Sequence, residues 1–243
     1  MTLHLLRLDP DAQASTRWFA AENLLPRGGT DDGYAWHALL HAVFGRALAP
    51  KPFSVMTRRG RPPQLLAYTR DDPARLQEAA RDFADPLALE ALGLDPAAAL
   101  AVRPMPAFAR GRRLGFTLCA RPTVRTDRDG DRSKSAEIDA YVAALRADPD
   151  SRPDRQAVYA AWLDARLAAG GARLLSGVRF DGLDRVPALR RDRTRMLRRV
   201  EGHAARFVGH LEVTDADAFA ATLARGIGRH RAFGYGMLLL SPP

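Results

Sequence analysis

Apolar and polar positions along this chain repeat with two periods, near two and near 3.6 residues, and their order sketches an architecture. Residues 2–8 form a short β-like run stopped by Asp9-Pro10. A polar stretch with Gly28-Gly29 follows, and Asp31-Asp32-Gly33 can then cap a helix. Over 34–48 the apolar residues recur at helical spacing, with Pro50 just past the end. Residues 53–57 and 64–69 read as strands around the turn-like Arg59-Gly60-Arg61-Pro62-Pro63. Pro73 opens a helix over 74–83. Residues 84–111, rich in proline and alanine, show no assignable period. Residues 113–121 alternate, with Leu114, Phe116 and Leu118 on one face of a half-buried strand. Strand, helix, two strands, helix, strand is a split βαβ, or ferredoxin-like, unit.

The second half partly repeats this order. The polar segment 126–136 reads as a linker or exposed loop. Residues 155–169 form a strong helix ended by Gly170-Gly171. Strands follow at 173–180, 194–200 and 206–213. Thr214 or Asp215 then caps a helix through Ala224, and 237–240 is a last strand. No repeat is visible at the level of residues. The expectation is an α+β chain of two tandem ferredoxin-like domains, 1–125 and 126–243, and 243 residues suit two domains better than one.

Composition narrows the class without naming it. With 27% charged and 47% apolar residues, wholesale disorder and low-complexity tracts are excluded. The single Cys119 can form no intrachain disulfide. No run approaches the ~20 apolar residues of a membrane helix, and the apolar start is too short for a signal peptide. The chain reads as soluble and cytoplasmic.

Charge is more informative. The net charge is +9, and only Lys51 and Lys134 of the 37 basic residues are lysines. Guanidinium groups suit phosphate because their planar fork of donors matches its oxygens. Biased codon usage explains the same composition, so position must decide. Between Arg185 and Arg206 stand eight arginines (185, 190, 191, 193, 195, 198, 199 and 206) against Asp192 and Glu201, a net +6 in 22 residues. In a strand Arg191, Arg193 and Arg195 would share one side, a row able to track a phosphate backbone. A solvated face is the alternative.

A second basic feature is Gly226-Ile-Gly228-Arg229-His-Arg231-Ala-Phe-Gly234-Tyr-Gly236, with four glycines in eleven residues. A dinucleotide fingerprint would need glycine at 231, a strand before it and a helix after it. Arg231 fills that slot and the element order is reversed, so that reading fails. No Walker A sequence exists either. A structural turn is the default, with a ligand-approaching loop as the alternative.

Tyr34, His37, His41 and Phe44 form one stripe of the first long helix. Zinc binding would need a third ligand, and none is evident. The stripe can also be a satisfied structural boundary. A third possibility is acid/base work, for which an imidazole titrating near pH 6.5 beside a tyrosine hydroxyl is suited. No Gly-x-Ser-x-Gly elbow occurs, and Cys119 in an apolar strand is a poor nucleophile.

Three patches resemble one family, and the helix at 155–169, with Trp162-Leu163, also fits it. Tyr34-Ala-Trp-His37 with the following Ala-Leu-Leu-His-Ala-Val-Phe resembles the Tyr-x-x-His helix of CasE-type CRISPR repeat-RNA endoribonucleases, subunits of the type I-E Cascade system. Residues 103–122 resemble the strand region closing that family's first domain. Residues 226–243 are similar to its terminal glycine-rich loop and last strand. The resemblance implies two ferredoxin-like domains and a ribonuclease needing no metal or other cofactor. Its substrate would be CRISPR precursor RNA, cut beside a repeat stem-loop by 2′-hydroxyl attack, with the product retained in Cascade. It implies His37 as the proton-transfer residue and Tyr34 as its partner. Arg190, Arg191, Arg193, Arg195, Arg198 and Arg199 would grip the hairpin. Gly226, Gly228, Arg229, Arg231, Gly234 and Gly236 would meet the RNA through the loop, with Arg231 where relatives often carry lysine. The partners implied are the repeat RNA and other Cascade subunits, with no membrane. The alternative is a non-catalytic RNA-binding subunit of the same superfamily. The chain departs from the pattern in the long segment 9–32, in Arg121 where relatives tend to have asparagine, and in His41. Phe233 and Tyr235 are read as core residues ahead of base-stacking ones.

Overall fold

Aspartate starts the helices of this protein. In the computed structural model, which describes residues 2–25, 32–57, 60–128, 131–175, 177–191 and 197–243, six of the seven α-helices among the described residues carry an aspartate whose carboxylate accepts from a first-turn amide. These N-caps are Asp11, Asp72, Asp85, Asp139, Asp154 and Asp215. Each satisfies amides that a helix start otherwise leaves without an acceptor. Pro73 and Pro86, directly after two of them, are pre-set for the first helical position.

The first half contains β1 (His4–Leu8), α1 (Ala12–Ala21), α2 (Gly33–Leu48), β2 (Phe53–Met56), β3 (Gln64–Thr69), α3 (Pro73–Phe83), α4 (Pro86–Ala91) and β4 (Ala101–Pro104). Its strands form an antiparallel sheet in the order β2-β3-β1-β4, the ferredoxin-like arrangement. Alternation along the strands covers both faces. Leu6, Leu8, Leu65 and Ala67 pack under the helices, whereas Leu5, Leu66 and Tyr68 turn toward the second half.

The second half runs β5 (Arg113–Ala120), β6 (Thr123–Arg128), β7 (Asp131–Asp139), α5 (Ala140–Ala147), α6 (Arg155–Ala168), β8 (Ala172–Leu174), β9 (Arg179–Arg191), β10 (Leu197–Val213), α7 (Ala216–Arg225) and β11 (Leu238–Ser241). The order β11-β5-β10-β8 repeats the ferredoxin-like path, with β9 paired to the free length of β10 and β6–β7 forming a separate hairpin. Phe116, Phe207, Tyr159, Leu163 and Phe219 fill its core. The halves meet sheet to sheet. The buried Tyr68 hydroxyl donates to the Leu238 carbonyl oxygen at 2.9 Å, and burial raises its pKa.

Several expectations are corrected. The strand at 113–121 does not close the first sheet. It lies inside the second, paired to β10 and β11, and β4 takes the edge of the first. The chain therefore changes sheet between Pro104 and Arg113, ahead of the division expected after residue 125. Both β4 and β5 are extended, and only tertiary pairing decides which sheet recruits each. The polar stretch 9–32 contains α1, whose Trp18 and Phe19 join the first core. The stretch read as a linker is largely the hairpin β6–β7, held by backbone pairing that leaves no apolar period. Strands expected at 194–200 and 206–213 are one strand, β10, as far as it is described. The strand expected at 173–180 is split between β8 and β9. Among the described residues no helix is long and apolar enough to cross a membrane.

Candidate active site

Helix α2 buries one face and leaves the other half-open. Ala35, Trp36, Leu39, Leu40, Val43 and Phe44 are in the core, while Tyr34, His37 and His41 lie half-buried along the opposite stripe. Phe44, expected on that stripe, belongs to the core. Asp32 stands at the cap position, but its carboxylate accepts from the Trp36 indole nitrogen at 2.7 Å instead of from a first-turn amide. That bond fixes the helix start from which Tyr34 and His37 project. The regular helix breaks at Gly45, in the left-handed region, after which Arg46 and Lys51 follow.

The glycine-rich loop of the second half closes over this stripe. Its short 3₁₀ turn, Arg231–Phe233, brings the Phe233 ring edge-on to His37, with centroids 5.0 Å apart, and within 6.0 Å of Tyr34. The His37 and His41 rings lie 4.1 Å apart. Thus Phe233, read as a core residue, is half-buried and frames the imidazole. Tyr235 is buried as expected, with the Arg121 guanidinium 5.9 Å from its ring centroid.

Backbone hydrogen bonds close this loop tightly. Gly226 caps α7 at positive φ, the Ile227 amide donates to the Gly236 carbonyl at 2.8 Å, and the Gly236 amide donates to the Cys119 carbonyl at 2.7 Å. A Cβ on Gly236, itself at positive φ, would strike the Ile227 carbonyl oxygen. The amides of Gly226 and Gly236 are therefore used by the fold, and these two buried glycines shape the loop. Arg231 donates through Nη1 to the Arg225 carbonyl at 2.7 Å, so part of its donor set staples the loop too. Gly228 and Gly234 also take positive φ.

Beside Phe233 opens a cleft of about 700 Å³ whose lining includes Lys51, Arg225, Arg229, His230 and Arg231, with Glu137 as its one acid among the described residues. A second hollow of about 390 Å³ across the loop adds Arg125 and Arg166. Lys51, Arg46, His230 and Arg225 were not singled out by spacing. The signal for Lys51 was its rarity as one of two lysines. These charges act on the helix. Burial first, then His41, Lys51 and Arg46, pushes the His37 pKa down to about 4. His41 is lowered by burial and by Lys51 and Arg46. At neutral pH the free protein thus presents a neutral His37 imidazole beside a cationic cleft. Such a group can take a proton, and the flanking cations can hold a phosphate.

The arginine-rich hairpin is only partly described. The backbone of β9 approaches α2, and Arg190 stands opposite Arg198 in register, Arg191 opposite Leu197 and Arg199 opposite Leu189. Arg193 and Arg195 lie outside the described residues.

A family model described as "CRISPR associated protein" matches residues 1–242. The chain is 34% identical over 143 residues to the CRISPR-associated endoribonuclease Cse3 of Thermus thermophilus, covering 56% of this chain and 59% of that protein. The fold is similar to that of Thermus thermophilus Cse3 bound to an RNA representing a pre-cleavage complex, with a TM-score of 0.64 and 24% identity over 100% of both chains. It is also similar to a chain of a CRISPR RNA-guided surveillance complex, with a TM-score of 0.53 and 21% identity over 99% of this chain and 100% of that one.

Proposed function

Because this chain belongs to the CRISPR-associated protein family, we propose that it is an endoribonuclease that cuts CRISPR precursor RNA beside a repeat stem-loop without a metal ion. One observation carries the proposal: a neutral His37, framed by Tyr34, His41 and Phe233, stands one ring away from a cleft whose lining includes Phe233, Lys51 and arginines. The relative named an endoribonuclease and the RNA-bound structure of similar fold support it. Repeat RNA and the other subunits of a Cascade complex are the proposed partners, in line with the similar chain of the surveillance complex.

The chemistry follows from this inventory. His37 takes the proton of the ribose 2′-hydroxyl as its oxygen attacks the adjacent phosphorus. The bond to the 5′-oxygen breaks, and that oxygen leaves with a proton from the medium or returned by His37. The ends are a 2′,3′-cyclic phosphate and a 5′-hydroxyl. Tyr34, one turn before His37, holds a phosphate oxygen. Lys51 and the loop arginines offset charge growing on the phosphate. Recognition of the A-form stem rests on phosphates and shape, because its deep major groove hides base edges.

The decisive experiment incubates His37→Ala and the unsubstituted protein with repeat RNA in excess chelator, with and without a 2′-deoxy ribose at the cut. Cleavage should fall at least about 100-fold in the variant while binding persists. The deoxy substrate should resist both proteins. A variant cutting at the normal rate would refute the assignment of His37. Activity abolished by chelator alone would show a metal-dependent nuclease, and binding without cleavage by the unsubstituted protein would show a structural subunit.

A further inference from the structure

The cationic cleft beside Phe233 contains a carboxylate, and the arrangement around it is built. Glu137 projects from β7, opposite Arg125 of β6 in the hairpin register. Its Oε2 lies 2.7 Å from Nε of Arg229, its Oε1 accepts from the Thr123 hydroxyl at 3.0 Å, and Nε2 of His230 is 3.5 Å from the same Oε1. Burial opposes ionisation of Glu137, yet His230, Thr123 and Arg229 together hold its carboxyl below the usual range. His230 itself sits in the left-handed region, a conformation that the local contacts must sustain for a non-glycine residue.

A negative group at the mouth of a phosphate-binding cleft repels the ligand unless it organises something that gains more than repulsion loses. The geometry points to what it organises. Glu137 engages Arg229 through Nε, while the Arg229 side chain is 54% exposed. A guanidinium has five N–H donors in a planar fork, so one held edge leaves others for a second acceptor. Anchoring also removes rotamer freedom that a free arginine would lose on binding.

We propose that Glu137 is a positioning residue that clamps Arg229 and His230 of the glycine-rich loop to the β6–β7 hairpin, so that Arg229 is pre-aimed at an RNA phosphate next to the scissile one. This rests on the RNA-cleaving reading for the identity of the polyanion. It adds that the β6–β7 hairpin is part of the RNA site, acting through the loop.

The sign of one measurement decides. Binding of a repeat RNA made uncleavable by a 2′-deoxy ribose is measured across a salt series for Glu137→Gln, Arg229→Ala and the double variant. If Glu137 positions Arg229, Glu137→Gln weakens binding about three- to tenfold although it removes a negative charge, and the loss vanishes in the Arg229→Ala background. Arg229→Ala lowers the slope of log affinity against log salt by about one. Tighter or unchanged binding by Glu137→Gln would mean plain repulsion and overturn the proposal. So would a loss that persists without Arg229. Should Glu137→Gln fold poorly, Thr123→Val, which removes one anchor of the carboxylate, is expected to weaken binding about twofold with the same dependence on Arg229; no change would overturn it. The readout is binding alone, so a protein that binds by this pattern but does not cut refutes the nuclease reading and leaves the clamp standing.

Discussion

At the scale of single residues, the burial that suits His37 to the proposed chemistry also ties it to stability. Its imidazole is held neutral by burial and by neighbouring cations, with a pKa of about 4 against about 6.5 in an unfolded chain. Between those values the unfolded state binds the extra proton, so stability falls as pH drops through that window and is restored above it. Chemical denaturation at pH 5 and pH 7 should show this loss, and it should be smaller in His37→Gln. An identical pH dependence in the variant would place the titration elsewhere. If His37 is the base, kcat/KM should stay level above about pH 6 and decline only toward pH 4. A decline with rising pH between 6 and 8 would make it the acid. Glycine positions carry a second residue-scale prediction. Gly202 lies under the Arg121 guanidinium, which is 3% exposed, and a Cβ there would meet Arg121 Nη2 directly. Gly202→Ala should therefore lower the melting temperature, and Gly236→Ala, blocked by backbone at positive φ, should lower it more. The buried Arg121 is accommodated by the missing side chain at 202.

At the scale of elements, the aspartate caps and the arginine hairpin behave differently. Asp215 accepts from the Ala218 amide at 2.9 Å at the start of α7, the helix that leads into the glycine loop. Asp215→Ala should cost about 1 kcal/mol in urea unfolding, the usual worth of an N-cap. The arginines at the far end of the β9–β10 hairpin should matter to RNA and little to folding. Replacing Arg190, Arg198 and Arg199 with glutamine should weaken repeat-RNA binding and flatten its salt dependence, each phosphate contact contributing roughly 0.9 to the slope. An unchanged slope would place the stem on another face.

For the whole molecule, the site exists only where two similar units face one another. The first contributes α2 and Lys51, the second the loop with Phe233 and Arg229, and the two sheets are joined by apolar packing and by Tyr68 reaching Leu238. Tyr68→Phe leaves the Leu238 carbonyl without that donor at a buried position and should cost about 1 kcal/mol. It should also lower cleavage at saturating RNA if the two halves loosen. A lost melting temperature with undiminished cleavage would show that the sheets hold the site without that bond.

Much of this was legible in residue order. Helix and strand periods, the Asp215 cap, the Tyr34/His37 stripe, the arginine cluster and the four-glycine loop are local patterns, and local chemistry fixes them. The ferredoxin-like class follows from the order of those elements. What the order left open depends on contacts between distant segments. Alternation marks a strand but not its sheet, and β5 belongs to the second sheet although residue order alone suits the first. A short amphipathic helix such as α1 is stabilised mainly by the core it joins. Phe233 and His37 meet across 196 positions of chain and Glu137 and Arg229 across 92, and Lys51 acts on both histidines from beyond the end of α2, so helix or strand periodicity reaches none of these. The lowered pKa of His37 is likewise a property of burial and assembled charge, which tertiary folding alone creates.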